Sequence, residues 1–103
     1  MKRKIRILGY EHTVEIKPRL GSAGRSALDY QSIELDSDLC EEQFDSTLIH
    51  EVIEQINKHL SLGLNEQQIC GIESGMYSFL KDGGVDLGNI LKNQEWLSEP
   101  LNE

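Results

Sequence analysis

The sequence has few of the residues that would assign it to a class by composition alone. It contains two cysteines, two prolines and one tryptophan in 103 residues. Cys40 and Cys70 lack CxxC spacing, so neither a zinc ribbon nor a dithiol redox motif is predicted. Two cysteines are too few for a disulfide framework, and we expect both to be reduced packing residues. No apolar run approaches the ~20 residues of a membrane span, so no membrane contact is expected.

The charge distribution is uneven along the chain. The formal net charge is −8, yet residues 1–25 carry seven Lys or Arg against two acidic residues. The basic start is not followed by the apolar segment of a signal peptide, which predicts a cytoplasmic location. A basic end can bind nucleic acid, or it can lie over an acidic layer of the same molecule. The acidic majority would repel phosphate, so nucleic acid is not expected as a partner.

Alternation of apolar and polar residues predicts a small antiparallel sheet in the N-terminal part. Residues 2–8 and 12–17 each alternate and predict a hairpin, with His12 expected to be exposed. Residues 21–27, GSAGRSA, predict a loop of small residues. A third strand is predicted over residues 28–36.

Two amphipathic helices follow the predicted sheet. The first is expected to begin with a capping box at Asp38 and Glu41 and to run to about Leu60, because apolar residues recur nearly every fourth position. The second is predicted over roughly 65–81, with Asn65 as its cap. Gly63 is placed to end the first helix.

These elements together predict the α+β class. The expected architecture is an antiparallel hairpin sheet of about three strands packed on two helices. Residues 1–84 form one domain in this prediction. Residues 85–103 form a C-terminal tail that either packs back on the domain or is flexible.

The segment His50-Glu51-x-x-Glu54 on the first helix is the most informative motif. His50 and Glu54 lie one helical turn apart on one face, so two donor side chains can share one metal ion. Glu51 is then placed to accept a proton from water, as in HExxH metallopeptidases. His50 and Glu54 also suit a solvated helix face, since they lie opposite the main apolar arc.

Glu73 lies in the apolar face of the second helix. An ionised carboxylate buried there is costly unless it is protonated, paired with a cation or bound to a metal. A metal held by His50 and Glu54 would satisfy Glu73, and so would an ion pair with Arg6 or with His50. The sequence leaves both alternatives open.

His59 is nine positions past His50, about 180° round the helix, so it cannot join the same site. We expect it to act as a cation that complements the helix dipole at the C-terminal end.

The stretch TLIHEVIEQINKHLSLGLNEQQICGIESGMYSFLKDGG resembles a family of small phage and prophage proteins. In that family a TLxHExxE or TLxHExxH helix leads through a short LxL linker to a helix of pattern I-x-x-[LI]-E-x-x-[LM]-[YF]. The resemblance covers residues 2–84 loosely and residues 47–82 more closely. It implies a minimal zincin-like metallopeptidase domain in a bacterial host cell.

By this resemblance His50, Glu54 and Glu73 are the metal ligands and Glu51 is the general base. Tyr77 matches an aromatic residue that can stabilise a developing oxyanion, although it equally suits a core-edge position. The implied cofactor is zinc, and Glu54 in place of a second His leaves another divalent metal, or none, as alternatives.

The implied partner is a peptide or protein, lying along the sheet edge as an added strand. The alternative is a non-catalytic accessory protein that keeps the zincin-like fold and binds a host or phage protein.

Overall fold

The computed structural model describes residues 2–18, 20–27, 31–85 and 96–97, and it belongs to the predicted α+β class. Its strands are β1 (Lys2–Ile7), β2 (Tyr10–Lys17), β3 (Gly24–Ala27), β4 (Ser32–Asp36) and β5 (Trp96–Leu97), and its helices are α1 (Glu41–Leu60) and α2 (Glu66–Asp82). The described strands lie in the order β3-β4-β2-β1-β5. The sheet packs on α1, and α2 packs on α1.

The β1–β2 hairpin forms as predicted. In its two-residue turn, Leu8 and Gly9 both have positive φ, 54° and 82°. A turn with this backbone conformation matches the right-handed twist of the two strands that it joins. The expectation that His12 is exposed is wrong, because its side chain is fully buried. Side chains alternate along a strand, so His12 shares its face with Val14, and Val14 is also fully buried.

The sheet is mixed and contains more strands than expected. Residues 21–27, predicted as a loop, contain β3, which forms an antiparallel pair with β4. Because β3 occupies the outer edge, β4 returns beside β2 and runs parallel to it. The predicted third strand thus starts only at Ser32, and residues 28–30 lie outside the described residues.

Gly24 is the point where β3 comes into close contact with α1. A Cβ atom at this position would lie 2.7 Å from Thr47 Cγ2 of α1 and 3.2 Å from the Glu34 carbonyl oxygen. The strand therefore approaches the helix so closely that only glycine fits without a shift of its neighbours.

The first helix begins at Glu41 rather than at a capping box of Asp38 and Glu41. The Asp38 amide donates to Asp36 Oδ1 at 2.9 Å, which holds these residues in a turn after β4. The Cys40 amide donates to Gln43 Oε1 at 3.3 Å and marks the actual start of the helix.

The first helix ends as predicted at Leu60. Its C-cap Ser61 has a left-handed φ of 52°, and Gly63 two residues later also has a positive φ, 71°. The second helix has the predicted cap. The Gln68 amide donates to Asn65 Oδ1 at 2.8 Å, and the Asn65 amide donates to Gln68 Oε1 at 2.9 Å.

The core lies between the sheet and α1. Its buried residues are Ile7, Val14, Ile33, Leu35 and Leu48, with Ile5, Phe44, Val52 and Ile56 packed against them. Ile69 is the one buried residue of α2, and Ile72, Met76 and Phe79 of that helix are exposed. The expectation that the cysteines are packing residues is wrong, since Cys40 and Cys70 are both exposed. Cys40 is the cap residue before α1, and Cys70 lies within α2.

Part of the predicted tail extends the sheet. Trp96 pairs with Arg3 and Leu97 with Lys2, so β5 lies along the free edge of β1. Residues 86–95 and 98–103 lie outside the described residues. Within the described part of the chain, neither helix has the length and apolar content needed to cross a bilayer.

Candidate functional site

The interface between α1 and α2 joins Ser46, His50 and Glu73 in one hydrogen-bonded group. His50 Nδ1–H donates to Glu73 Oε1 at 2.7 Å, and the Ser46 hydroxyl donates to Glu73 Oε2. Ser46 and His50 are one helical turn apart, so both face α2. The Glu73 carboxylate therefore has two donors from α1. Arg6, the other partner considered for Glu73, donates instead to the Gly9 carbonyl oxygen at 3.1 Å.

The surroundings of His50 favour its protonated form. Burial of the ring is the largest single effect and acts against the charged form. The hydrogen bond to Glu73 and the negative charges of Glu51, Glu73 and Glu54 together outweigh burial, so the pKa of His50 is raised. An imidazole must be neutral to bind a metal, so a metal ion and a proton compete for this ring.

Glu54 and Glu66 form an acidic pair beside the other nitrogen of the same ring. Glu66 Oε2 lies 3.6 Å from His50 Nε2. Burial raises the pKa of the Glu54 carboxyl most, and the hydrogen bond and charge repulsion with Glu66 raise it further, against the opposing effects of His50 and Lys58. The Glu54 carboxyl is therefore easier to protonate than a solvated one, and a divalent cation beside it would compete with that proton.

Two groups of donor atoms have the proximity that a metal site requires. One consists of His50, Glu51 and Glu54 and the other of His50, Cys70 and Glu73, with the donor atoms of each group within 4.8 Å of one another. Neither group contains both Glu54 and Glu73. Each of these predicted ligands is therefore close to His50, but the predicted set of three does not converge on one point.

The donor atoms around His50 fit a divalent ion of the zinc type. Imidazole, carboxylate and thiolate are the three donor classes that bind zinc in proteins. The ring nitrogen Nδ1 is held by Glu73 at 2.7 Å, and a carboxylate in this position fixes the orientation of a metal-binding ring. His50 Nε2 then remains as the nitrogen with a lone pair when the ring is neutral.

The sequence analysis did not identify Glu66 and Cys70 as members of this cluster. Both have a helical spacing that predicts it, because Cys70 is three positions and Glu66 seven positions before Glu73. Residues at these spacings share one face of a helix.

A cavity of about 270 Å³ lies beside this cluster and is lined by Ala23, Gly24, Thr47, His50, Glu51 and Glu73. Its wall therefore combines the HExxE helix, the second helix and the segment that leads into β3. Glu51 is 4% exposed, so its carboxylate belongs to the interior of the domain. Strand β3 is the outermost strand of the described sheet on this side.

Tyr77 lies elsewhere on the surface. Lys81 Nζ donates to its hydroxyl oxygen at 3.2 Å. Tyr77 lines a separate cavity together with Glu42, Asp45 and Lys81, and His50 does not line that cavity. The structure thus does not bring Tyr77 to the cluster around His50, and its side chain is half-buried on α2.

Comparisons of the chain with protein-family models, with curated proteins and with solved structures give no match.

Proposed function

We propose that the chain is a metal-dependent peptidase-like domain and that the cavity beside β3 is its substrate cleft. The observation that carries this proposal is the cavity lining, in which His50, Glu51 and Glu73 meet Gly24 of an edge strand. A substrate-sized space, a metal-binding residue type and a carboxylate base within one cavity are the requirements of hydrolytic chemistry.

His50 and Glu54 would hold a divalent ion, with zinc as the ion that fits the donor set. Glu73 would hold the ring through Nδ1 or complete the ligand set. When bound, the ion would polarise a peptide carbonyl and lower the pKa of water. Glu51 lies at the wall of the same cavity and would accept the proton that an attacking water loses.

The peptide would lie along β3 and add a strand to the sheet. A strand at the edge of a sheet offers unpaired backbone N–H and C=O groups, which bind an extended peptide by main-chain hydrogen bonds. In this proposal the domain acts in the cytoplasm of a bacterial host cell, as the resemblance to phage and prophage proteins implies.

A second candidate function is non-catalytic binding of a host or phage protein. The observation that favours it is the exposed apolar stripe of α2, where Ile72 is 42%, Met76 45% and Phe79 73% exposed. Three large apolar side chains at successive turns of one helix are typical of a surface that a partner covers.

The two candidates are separated by metal content and by turnover. Protein purified without chelator and then dialysed against zinc should hold about one ion per chain more than Glu54→Gln treated in the same way, and the Glu41→Gln control in the first turn of α1 should match the unaltered protein. Glu51→Gln should keep this ion but lose zinc-dependent cleavage of an unfolded protein substrate. Equal zinc content in Glu54→Gln and the unaltered protein, or unchanged turnover in Glu51→Gln, would contradict the peptidase proposal.

A further inference from the structure

The two other histidines of the chain meet near the C-terminal end of α1, against the β1–β2 hairpin. His12 of β2 and His59 of α1 face each other, with 3.3 Å between their Nε2 atoms. His12 is fully buried, and the Tyr10 ring stacks on the His59 ring with 5.0 Å between centroids and 2° between planes. His59 therefore does more than complement the helix dipole, because it packs on the hairpin through two ring contacts.

The hydrogen bonds of His12 fix which nitrogen is available. His12 Nδ1 lies 2.9 Å from the Tyr10 carbonyl oxygen, and a carbonyl only accepts. His12 Nδ1 therefore carries the proton, and Nε2 of the neutral ring has a lone pair. In the neutral pair, His59 Nε2–H donates to this lone pair.

We propose that His12 and His59 bind one divalent transition-metal ion of the zinc type, at a site separate from the His50 cluster. Two imidazole nitrogens at about 2.05 Å from a tetrahedral ion are about 3.3 Å apart. This separation equals the one between the two Nε2 atoms. His12 Nδ1, the ring nitrogen that does not face His59, is hydrogen-bonded to a backbone carbonyl. Metal-binding histidines usually make such a contact through the nitrogen that does not bind the metal.

Binding of the ion requires a change of tautomer at His59 but no net loss of a proton. The His59 ring proton moves from Nε2 to Nδ1 by exchange with water, so the ring stays neutral and its Nε2 gains a lone pair. The ion then occupies the space between the two Nε2 atoms. His12 is buried, but Tyr10 beside His59 is 54% exposed, so water can reach the ion from the His59 side and complete the coordination.

The choice of ion follows from the donors. Two neutral imidazoles suit zinc, copper and nickel and do not suit calcium or magnesium, which take oxygen ligands. The site is also independent of the proposed peptidase site. His59 lies nine positions from His50, about half a turn round the helix, so one ion cannot contact both rings.

A zinc titration in the His50→Gln background tests this site without interference from the other. His50→Gln should still bind zinc. Adding His59→Gln should lower that affinity by about tenfold or more, since loss of even an outer-shell partner of a metal site costs that much. In the unaltered protein, zinc should shift the ¹⁵N resonances of Nε2 in His12 and His59 and leave the His12 Nδ1–H signal in place.

Two results would overturn the proposal. One is equal zinc affinity in the presence and absence of His59→Gln, with circular dichroism confirming that both variants are folded. The other is a set of His12 and His59 ring signals that zinc does not change, in which case the pair is a neutral hydrogen bond that only fastens the hairpin to α1. Magnesium added in place of zinc serves as the matched control and should shift neither ring.

Discussion

His50 on α1 and Glu73 on α2 are joined by a hydrogen bond of 2.7 Å although 23 positions separate them in the sequence. Ser46 donates to the second carboxylate oxygen, so one acidic side chain of α2 connects two successive turns of α1. Charge-assisted hydrogen bonds of this kind are stronger than neutral ones. The attachment of α2 therefore depends on a polar group as well as on the burial of Ile69.

Replacing Glu73 should destabilise the domain. In Glu73→Ala the Ser46 hydroxyl and His50 Nδ1–H lose their common acceptor, and the expected loss is about 1–3 kcal/mol in the free energy of unfolding. Urea denaturation measures this loss. The neighbouring exposed residue provides the control, since Ser74→Ala should change the stability by less than about 0.5 kcal/mol. Equal stability of the two variants would contradict a structural role for Glu73.

The contribution of His50 to stability should depend on pH. Its pKa is raised in the folded protein, so the folded state binds the proton more tightly than the unfolded state does. This contribution is therefore complete below the ordinary pKa of 6.5 and is lost as the pH rises through the folded pKa.

The measurement is the difference in unfolding free energy between the unaltered protein and His50→Gln. This difference should be larger at about pH 5.5 than at about pH 8.5, since the unperturbed pKa of a histidine lies between these values. Taking the difference removes the effects of His12 and His59, which both proteins share. A difference that stays constant or grows with pH would show that the ring is not protonated in its contact with Glu73.

The pair of carboxyl groups beside His50 gives a third prediction. Glu66→Gln removes the neighbour that, after burial, does most to raise the pKa of Glu54. We expect the Glu54 pKa to fall in this variant, as followed by ¹³C NMR titration of the side-chain carboxyl. At a pH above the raised pKa, ionised Glu54 destabilises the folded state. Glu66→Gln should therefore also stabilise the domain slightly near neutral pH. An unchanged Glu54 titration would mean that the two carboxyl groups do not interact.

Gly24 gives a fourth prediction, which links stability to the cavity. Gly24→Ala places a Cβ 2.7 Å from Thr47 Cγ2, so β3 must move away from α1. Overpacking of this kind costs about 1–3 kcal/mol, and Thr47→Ser in the same chain should recover part of it by removing the clashing methyl group.

The matched control for Gly24 is Gly71 of α2, where a Cβ meets nothing within 4 Å. Gly71→Ala should leave the stability unchanged or raise it by up to about 1 kcal/mol, because alanine favours the helix and restricts the unfolded chain. Thermal unfolding of the three variants decides the point. A Gly24→Ala protein as stable as Gly71→Ala would show that β3 does not depend on close contact with α1.

The elements that the sequence predicts correctly are those with a clear period. Both helices show apolar residues at helical spacing, and β1 and β2 alternate. Strand β3 has four residues, GRSA, and no alternating pattern, and its Gly24 lies so close to Thr47 of α1 that a larger residue requires a shift. The parallel pairing of β2 with β4 depends on where the chain places β3, which no local pattern records.

The same distinction applies to the candidate sites. Helical spacing puts Glu73 in the α1–α2 interface and gives His50 as one of its partners, and the structure has this contact. The burial of His12 also follows from its alternation with Val14, but its residue type suggested exposure. The meeting of His12 with His59 joins residues 47 positions apart, and only the packing of α1 on the sheet brings them together.

The sparse burial of α2 has a consequence for the order in which the domain comes apart. Ile69 is the one buried residue of this helix within the described chain, whereas α1 buries four. A segment with little buried surface opens locally at a lower free energy than the whole molecule unfolds. The α2 amides should therefore exchange with deuterium while the sheet and α1 remain protected. Each opening separates Glu73 from His50, so the cluster exists only in the fraction of molecules whose second helix is closed.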